Sequence, residues 1–95
     1  MFVLASTTRD ELNISFDFLP TKEEADKALV ADIILMTKYQ SIEEIKAAAA
    51  RGECGFDVYD CWTSAWAETE TCGTGQWSVI ELNKCTAHSR DFSHE

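Results

Sequence analysis

Apolar and polar residues alternate strictly in Leu12, Asn13, Ile14, Ser15, Phe16, Asp17, Phe18, the period of a strand with one wet face. Ahead of it, residues 2–6 form a short apolar run. The polar stretch between them, residues 7–11, suits a hairpin loop. Pro20 ends the second strand, because proline removes a backbone donor and fixes its own φ. Thr21 with Glu24 three positions later then spells a capping box for a helix reaching about Lys38. In that helix Ala25, Ala28, Leu29, Ile33 and Met36 fall on one face. Val30, Ile34 and Leu35 widen the stripe, which predicts a helix covered on more than one side.

Ser41 and Glu44 repeat the capping box, and Ile42, Ile45, Ala48 and Ala49 continue at helical spacing to Arg51, with Gly52 as the stop. After Gly52 the chain turns to aromatic and β-branched residues: Phe56, Val58, Tyr59, Trp62, Trp66, Trp77, Val79 and Ile80. This half reads as sheet, with a tight turn where Cys72, Gly73, Thr74 and Gly75 place two glycines close together. The predicted order is β-β-α-α-β-β-β. It defines an α+β domain over residues 1–83, an antiparallel sheet with two helices on one face. Residues 84–95 read as a loose tail, because small polar residues offer little to offset the entropy of ordering them.

A two-residue turn at Gly73 and Thr74, or a four-residue one from Cys72 to Gly75, sets Thr71 opposite Gln76. That register groups Trp66, Glu68 and Glu70 with Trp77, Val79 and Glu81 on one face. Ala65, Ala67 and Thr69 meet Ser78, Ile80 and Leu82 on the other, the face expected beneath the helices.

Charge adds weight to this surface. The 95 residues hold 17 acids and 8 bases, a formal charge of -9, and residues 53–83 carry six acids and no base. All three tryptophans lie in the same segment. A chain so acidic repels a phosphate backbone, so direct nucleic-acid binding is not expected. Tryptophan is enriched at binding hot spots, and a one-signed field speeds encounter with an oppositely charged partner. The expected partner is a basic protein surface, anchored by Trp66 and Trp77 and steered by Glu68, Glu70, Glu81, Asp57 and Asp60. A homodimer that buries the tryptophans by symmetry is the other use of such a face.

Catalytic chemistry finds little to stand on. The two histidines, His88 and His94, fall in the tail, so no nucleophilic triad can be assembled. The paired glutamates at 23–24 and 43–44 occupy first helical turns, where they favour the helix dipole. Asp32 is the one acid set in an apolar run. A structural zinc site built from Cys54, Cys61, Cys72, Cys85 and His88 is the chemical alternative, yet no Cys-x-x-Cys knuckle occurs. No cofactor is expected. The start of the chain lacks the basic and long apolar regions of a secretory signal, and the apolar run at 29–36 is far short of the roughly 20 residues a span needs. A cytoplasmic location, with no membrane contact and the cysteines as thiols, is the corresponding expectation.

Thr21, Glu23, Glu24, Ala25 and Ala28 behind an alternating strand, then Ser64, Ala65, Trp66 and Trp77, Ser78, Val79, Ile80, Glu81, resemble small uncharacterised proteins of bacterial phages and gut-bacterial mobile elements. By analogy, the resemblance implies action inside a bacterial host cell, in its cytoplasm, on host machinery. It points to an acidic inhibitor of the anti-CRISPR or anti-restriction type, resembling DNA in charge and occupying the nucleic-acid-binding surface of a host defence protein. It transfers no individual site residue.

Overall fold

The structure, a computed structural model, describes residues 1–7, 14–70 and 73–82. The elements are β1 (Phe2–Ser6), β2 (Ser15–Leu19), α1 (Lys22–Met36), α2 (Ile42–Ala50), β3 (Gly55–Val58), β4 (Trp62–Glu68) and β5 (Thr74–Glu81). The fold is the α+β arrangement read from the pattern. Its five strands lie in the order β2-β1-β5-β4-β3, with every neighbouring pair antiparallel. The last strand therefore sits at the centre, joining the amino-terminal hairpin to the carboxy-terminal meander. Residues 84–95, expected as a loose tail, lie outside the described residues.

Local chemistry sets the helix ends. The Thr21 hydroxyl accepts from the Glu24 N–H at 3.1 Å and the Ser41 hydroxyl from the Glu44 N–H at 3.2 Å, each satisfying a donor that the first turn leaves open. The Glu44 carboxylate reaches back to the Gln40 N–H at 2.7 Å, one residue before the cap. α1 ends where Thr37 turns its N–H and its hydroxyl onto the Ile33 carbonyl. α2 ends in a Schellman motif: Gly52 adopts φ +80°, its N–H donates to the Ala49 carbonyl, and the Glu53 N–H donates to Ala48. A side chain at Gly52 would face the steric penalty of the left-handed region.

α1 packs over β5, β1 and β2, while α2 packs over β3. Between helices and sheet lies one cluster in which Leu4, Leu29, Ile33, Ile45, Ala65, Trp77 and Val79 are buried. The helix is not covered all round, however. Ala25, Leu29 and Ile33 are buried, whereas Leu35 points into solvent.

The β4–β5 turn departs from the predicted register. β4 stops at Glu68 and β5 starts at Thr74, which are register partners, so the connection is five residues long. Both the N–H and the hydroxyl of Thr69 donate to the Gly73 carbonyl, at 2.7 and 2.6 Å, and Gly73 takes φ +72°. The Glu70 N–H donates to the Met36 carbonyl at 3.0 Å, fastening the turn to the end of α1. An odd-length turn in place of an even one inverts which residues share a face. Ala65 pairs with Trp77 and Ala67 with Gly75 on the helix side, and Trp66 pairs with Gln76 on the other. The small alanines make room for the large indole. Thr71, taken as the partner of Gln76, lies outside the described residues, as does Cys72.

Candidate protein-binding face

Two helices cover one face of the sheet, and the other face has no layer upon it among the described residues. Its composition follows from strand parity. On β2 the alternation places Ser15, Asp17 and Leu19 on the helix side, opposite Ser6, Leu4 and Phe2 of β1. Phe16 and Phe18 consequently point outward and are 59% and 61% exposed. The strand has one wet face, as its pattern predicts, but the phenylalanines are on it.

Registers then line up side chains across strands. Phe18 pairs with Val3, Val3 with Ile80, and Ile80 with Trp62, a row of four apolar side chains crossing β2, β1, β5 and β4. Tyr59 extends it, its ring 4.3 Å from that of Trp62 at 52°, a tilted contact of the kind aromatic pairs prefer. Phe16 and Ala5 begin the next row, which continues through Ser78 and Ser64 to Asp57. Trp62 and Trp66 are 39% and 42% exposed and Ile80 37%. The Trp66 indole lies across Gly55, its register partner, where an added Cβ would fall on the indole Nε1 and Cδ1. The absence of a side chain at Gly55 thus lets Trp66 lie flat against β3.

Several expected site residues separate here. Trp66, Glu68 and Asp57 share the outer parity, and Asp60 is exposed in the β3–β4 connection. Trp77 does not belong with them. It is 1% exposed and belongs to the core, because its parity is that of Ala65. Glu81 has the parity of Trp77 and Val79 and lies half-buried on the helix side, and Glu70 lies beyond the end of β4 in the turn held by Met36. The pattern reading did not assign Phe16, Phe18, Val3, Ile80 or Trp62 to the binding face. The signal it did contain was an excess: both parities of the strands are rich in large apolar residues, more than one layer of helices can cover.

Charge is segregated between the layers. The described strands carry Asp17, Asp57, Glu68 and Glu81 but no base, while the described bases, Lys22, Lys27, Lys38, Lys46 and Arg51, all lie in or beside the helices. Polar groups inside the domain are engaged with each other. The Asp32 carboxyl accepts from the Trp77 indole N–H at 2.7 Å and from the Ser6 hydroxyl at 3.2 Å. The Thr63 hydroxyl donates to Asp26 at 2.7 Å, and Lys22 reaches both Asp26 and Thr63 at 2.7 Å. No buried side-chain nitrogen or oxygen among the described residues lacks a partner.

Of the possible zinc ligands, Cys54 is a buried free thiol donating to the Ile45 carbonyl at 3.5 Å, and Cys61 is a half-buried free thiol. Burial pushes the Cys54 thiol up, with the nearby Tyr39 hydroxyl opposing by hydrogen bonding; burial also raises Tyr39, and the adjacent Cys54 adds to it. Arg51 holds the exposed Glu53 carboxyl below its ordinary range. Among the described residues no three His, Cys, Asp or Glu side chains gather as a metal site would require; Cys72, Cys85 and His88 lie outside them. No helix among the described residues is long and apolar enough to cross a membrane. Set against protein-family models, curated proteins and solved structures, the chain matches none.

Proposed function

We propose that the chain is a non-enzymatic protein-binding module that docks through the outer face of its sheet. The observation that carries this reading is the row Phe18, Val3, Ile80, Trp62, flanked by Phe16 and Trp66, on a face with carboxylates and no base among the described residues. Contiguous exposed apolar surface of this kind marks interaction sites. Trp62 and Trp66 serve as its rigid anchors. Asp57, Asp60 and Glu68 sit on the β3–β4 side, so the complementary partner is a protein with an apolar patch bordered by lysine or arginine on one side. A second copy fits less well, since it brings the same carboxylates to a face with no base to meet them. The resemblance to phage and mobile-element proteins directs the search toward bacterial proteins with basic, nucleic-acid-binding surfaces, where such a module acts as an inhibitor.

The deciding experiment is capture from bacterial lysate at low and high salt, followed by reconstitution with the purified partner. Phe18→Ser, Trp62→Ser and Glu68→Lys each weaken the reconstituted complex, and added salt weakens it further. A partner indifferent to all three substitutions overturns the reading. So does light scattering that finds a dimer in which Trp62 and Trp66 are shielded from quenchers.

A further inference from the structure

A groove of about 930 Å³ opens on the opposite side of the molecule, between α1, α2 and β3. It exists because α1 is seated over β5, β1 and β2 while α2 is seated over β3, leaving the space between the helices unfilled. One wall is the α1 stripe Lys22, Asp26, Val30 and Ile34, four residues apart and so on one helical face. The other wall is Ile42 and Lys46 of α2, and Phe56 and Val58 of β3 form the floor. The floor and inner walls are apolar. The mouth is basic: Lys22, Lys27 and Lys46 are three of the five bases among the described residues, in a chain of net charge -9.

The two acids at the groove leave a positive remainder. Asp26 is held by Lys22 and Thr63, both at 2.7 Å. Glu23 meets Lys27 at 3.5 Å in a largely exposed pair, weak enough to exchange partners. Lys46 has no ion-pair partner among the described residues. From this combination we infer that the groove binds a single-chain aliphatic carboxylate, a fatty acid, with its chain along Val30, Ile34, Ile42 and Phe56 and its head group between Lys27 and Lys46. The dimensions favour a small ligand over the surface of a folded protein. Eleven residues line the groove, whereas a stable protein interface engages about 20–30 on each side, and the volume falls within the roughly 300–1,000 Å³ of small-molecule sites.

The test uses the full chain and sodium dodecanoate below its micellar concentration, followed by amide chemical shifts and calorimetry. Saturable shifts at Val30, Ile34, Ile42 and Phe56, with affinity falling at least tenfold in the Lys27→Glu, Lys46→Glu double variant, are expected. Both lysines are exposed, so the variant keeps its fold, and unchanged amide shifts elsewhere verify it. Ala31→Trp, which fills the groove from the exposed side of α1, abolishes binding independently of charge. Dodecanoate that leaves the groove shifts unchanged, that binds the double variant equally well, or that shifts only Phe16, Phe18 and Ile80 on the opposite face overturns the inference. Groove shifts produced by an amphipathic helical peptide but not by dodecanoate overturn it as well, in favour of a protein ligand.

Discussion

The indole N–H of Trp77 on β5 donates to the carboxyl of Asp32 on α1 at 2.7 Å, with both residues buried. Ser6, the register partner of Trp77 on β1, donates to the same oxygen at 3.2 Å. One acid thus ties α1 to two adjacent strands and explains why a charged residue type interrupts an otherwise apolar helical run. Removing it takes a shared acceptor from two buried donors. Asp32→Ala is expected to cost about 2–3 kcal/mol in urea unfolding, and Asp32→Asn, which keeps an accepting oxygen, about 1 kcal/mol. The double variant with Trp77→Phe is expected to show a coupling of about 1 kcal/mol or more; additive losses contradict this account.

Trp66 and Trp77, which pattern reading placed together, lie on opposite faces of the sheet, so the buried Trp77 and the outward tryptophans are expected to behave oppositely. Trp77→Ala removes a buried indole and costs about 3–5 kcal/mol. Trp62→Ser lies on the exposed face and changes the unfolding midpoint little, while weakening partner binding. Measuring stability and affinity on the same variants separates the roles, and equal stability losses at both sites would contradict the fold described.

Gly55 is a spacer for Trp66. Gly55→Ala places a methyl group where the indole edge now lies, so the ring must swing away from β3. The expected cost is modest, about 1 kcal/mol, because the clash is with a movable side chain rather than backbone. Its signature is optical: the emission of Trp66 shifts and becomes more quenchable, read in a background where Trp62 and Trp77 are phenylalanine.

Alkaline pH is expected to weaken the domain through Cys54 and Tyr39. Burial raises both in the folded chain, so their stabilising contribution is complete below the unfolded values, about 8.5 for a thiol and about 10 for a phenol. It is lost as pH rises through the raised folded values, since the unfolded chain then releases protons more readily. Glu53 reinforces the rise at Cys54 and Arg51 opposes it. Melting temperatures from pH 8 to 10.5 check this: Cys54→Ala flattens the decline, and parallel curves contradict it.

The outer face shows how far pattern reaches. Periodicity identified the seven elements and their order, and the capping boxes at Thr21 and Ser41 marked both helix starts, because these signals depend on residues within one turn of each other. Acidity and tryptophans made the carboxy-terminal half the expected interaction segment; of the residues named for it, Trp66, Glu68 and Asp57 have the outer parity and Asp60 is exposed in the β3–β4 connection.

Which side of the sheet each residue occupies was beyond the pattern. A turn of five residues instead of two or four exchanges the faces of β5, sending Trp77 inward against Ala65 and Ile80 outward against Trp62; turn length is set by the Thr69 to Gly73 hydrogen bonds and the Glu70 to Met36 tie, the latter made between residues far apart in sequence. The outward placement of Phe16 and Phe18 likewise follows from pairing with β1, whose Leu4 is drawn beneath α1. The sequence by itself determined which segments are helix or strand and where acid concentrates, since those properties are local. Only tertiary structure decided that β5 closes the sheet between β1 and β4, which apolar side chains remain uncovered, and that the two helices part over a groove, because each depends on which distant surfaces compete to be buried.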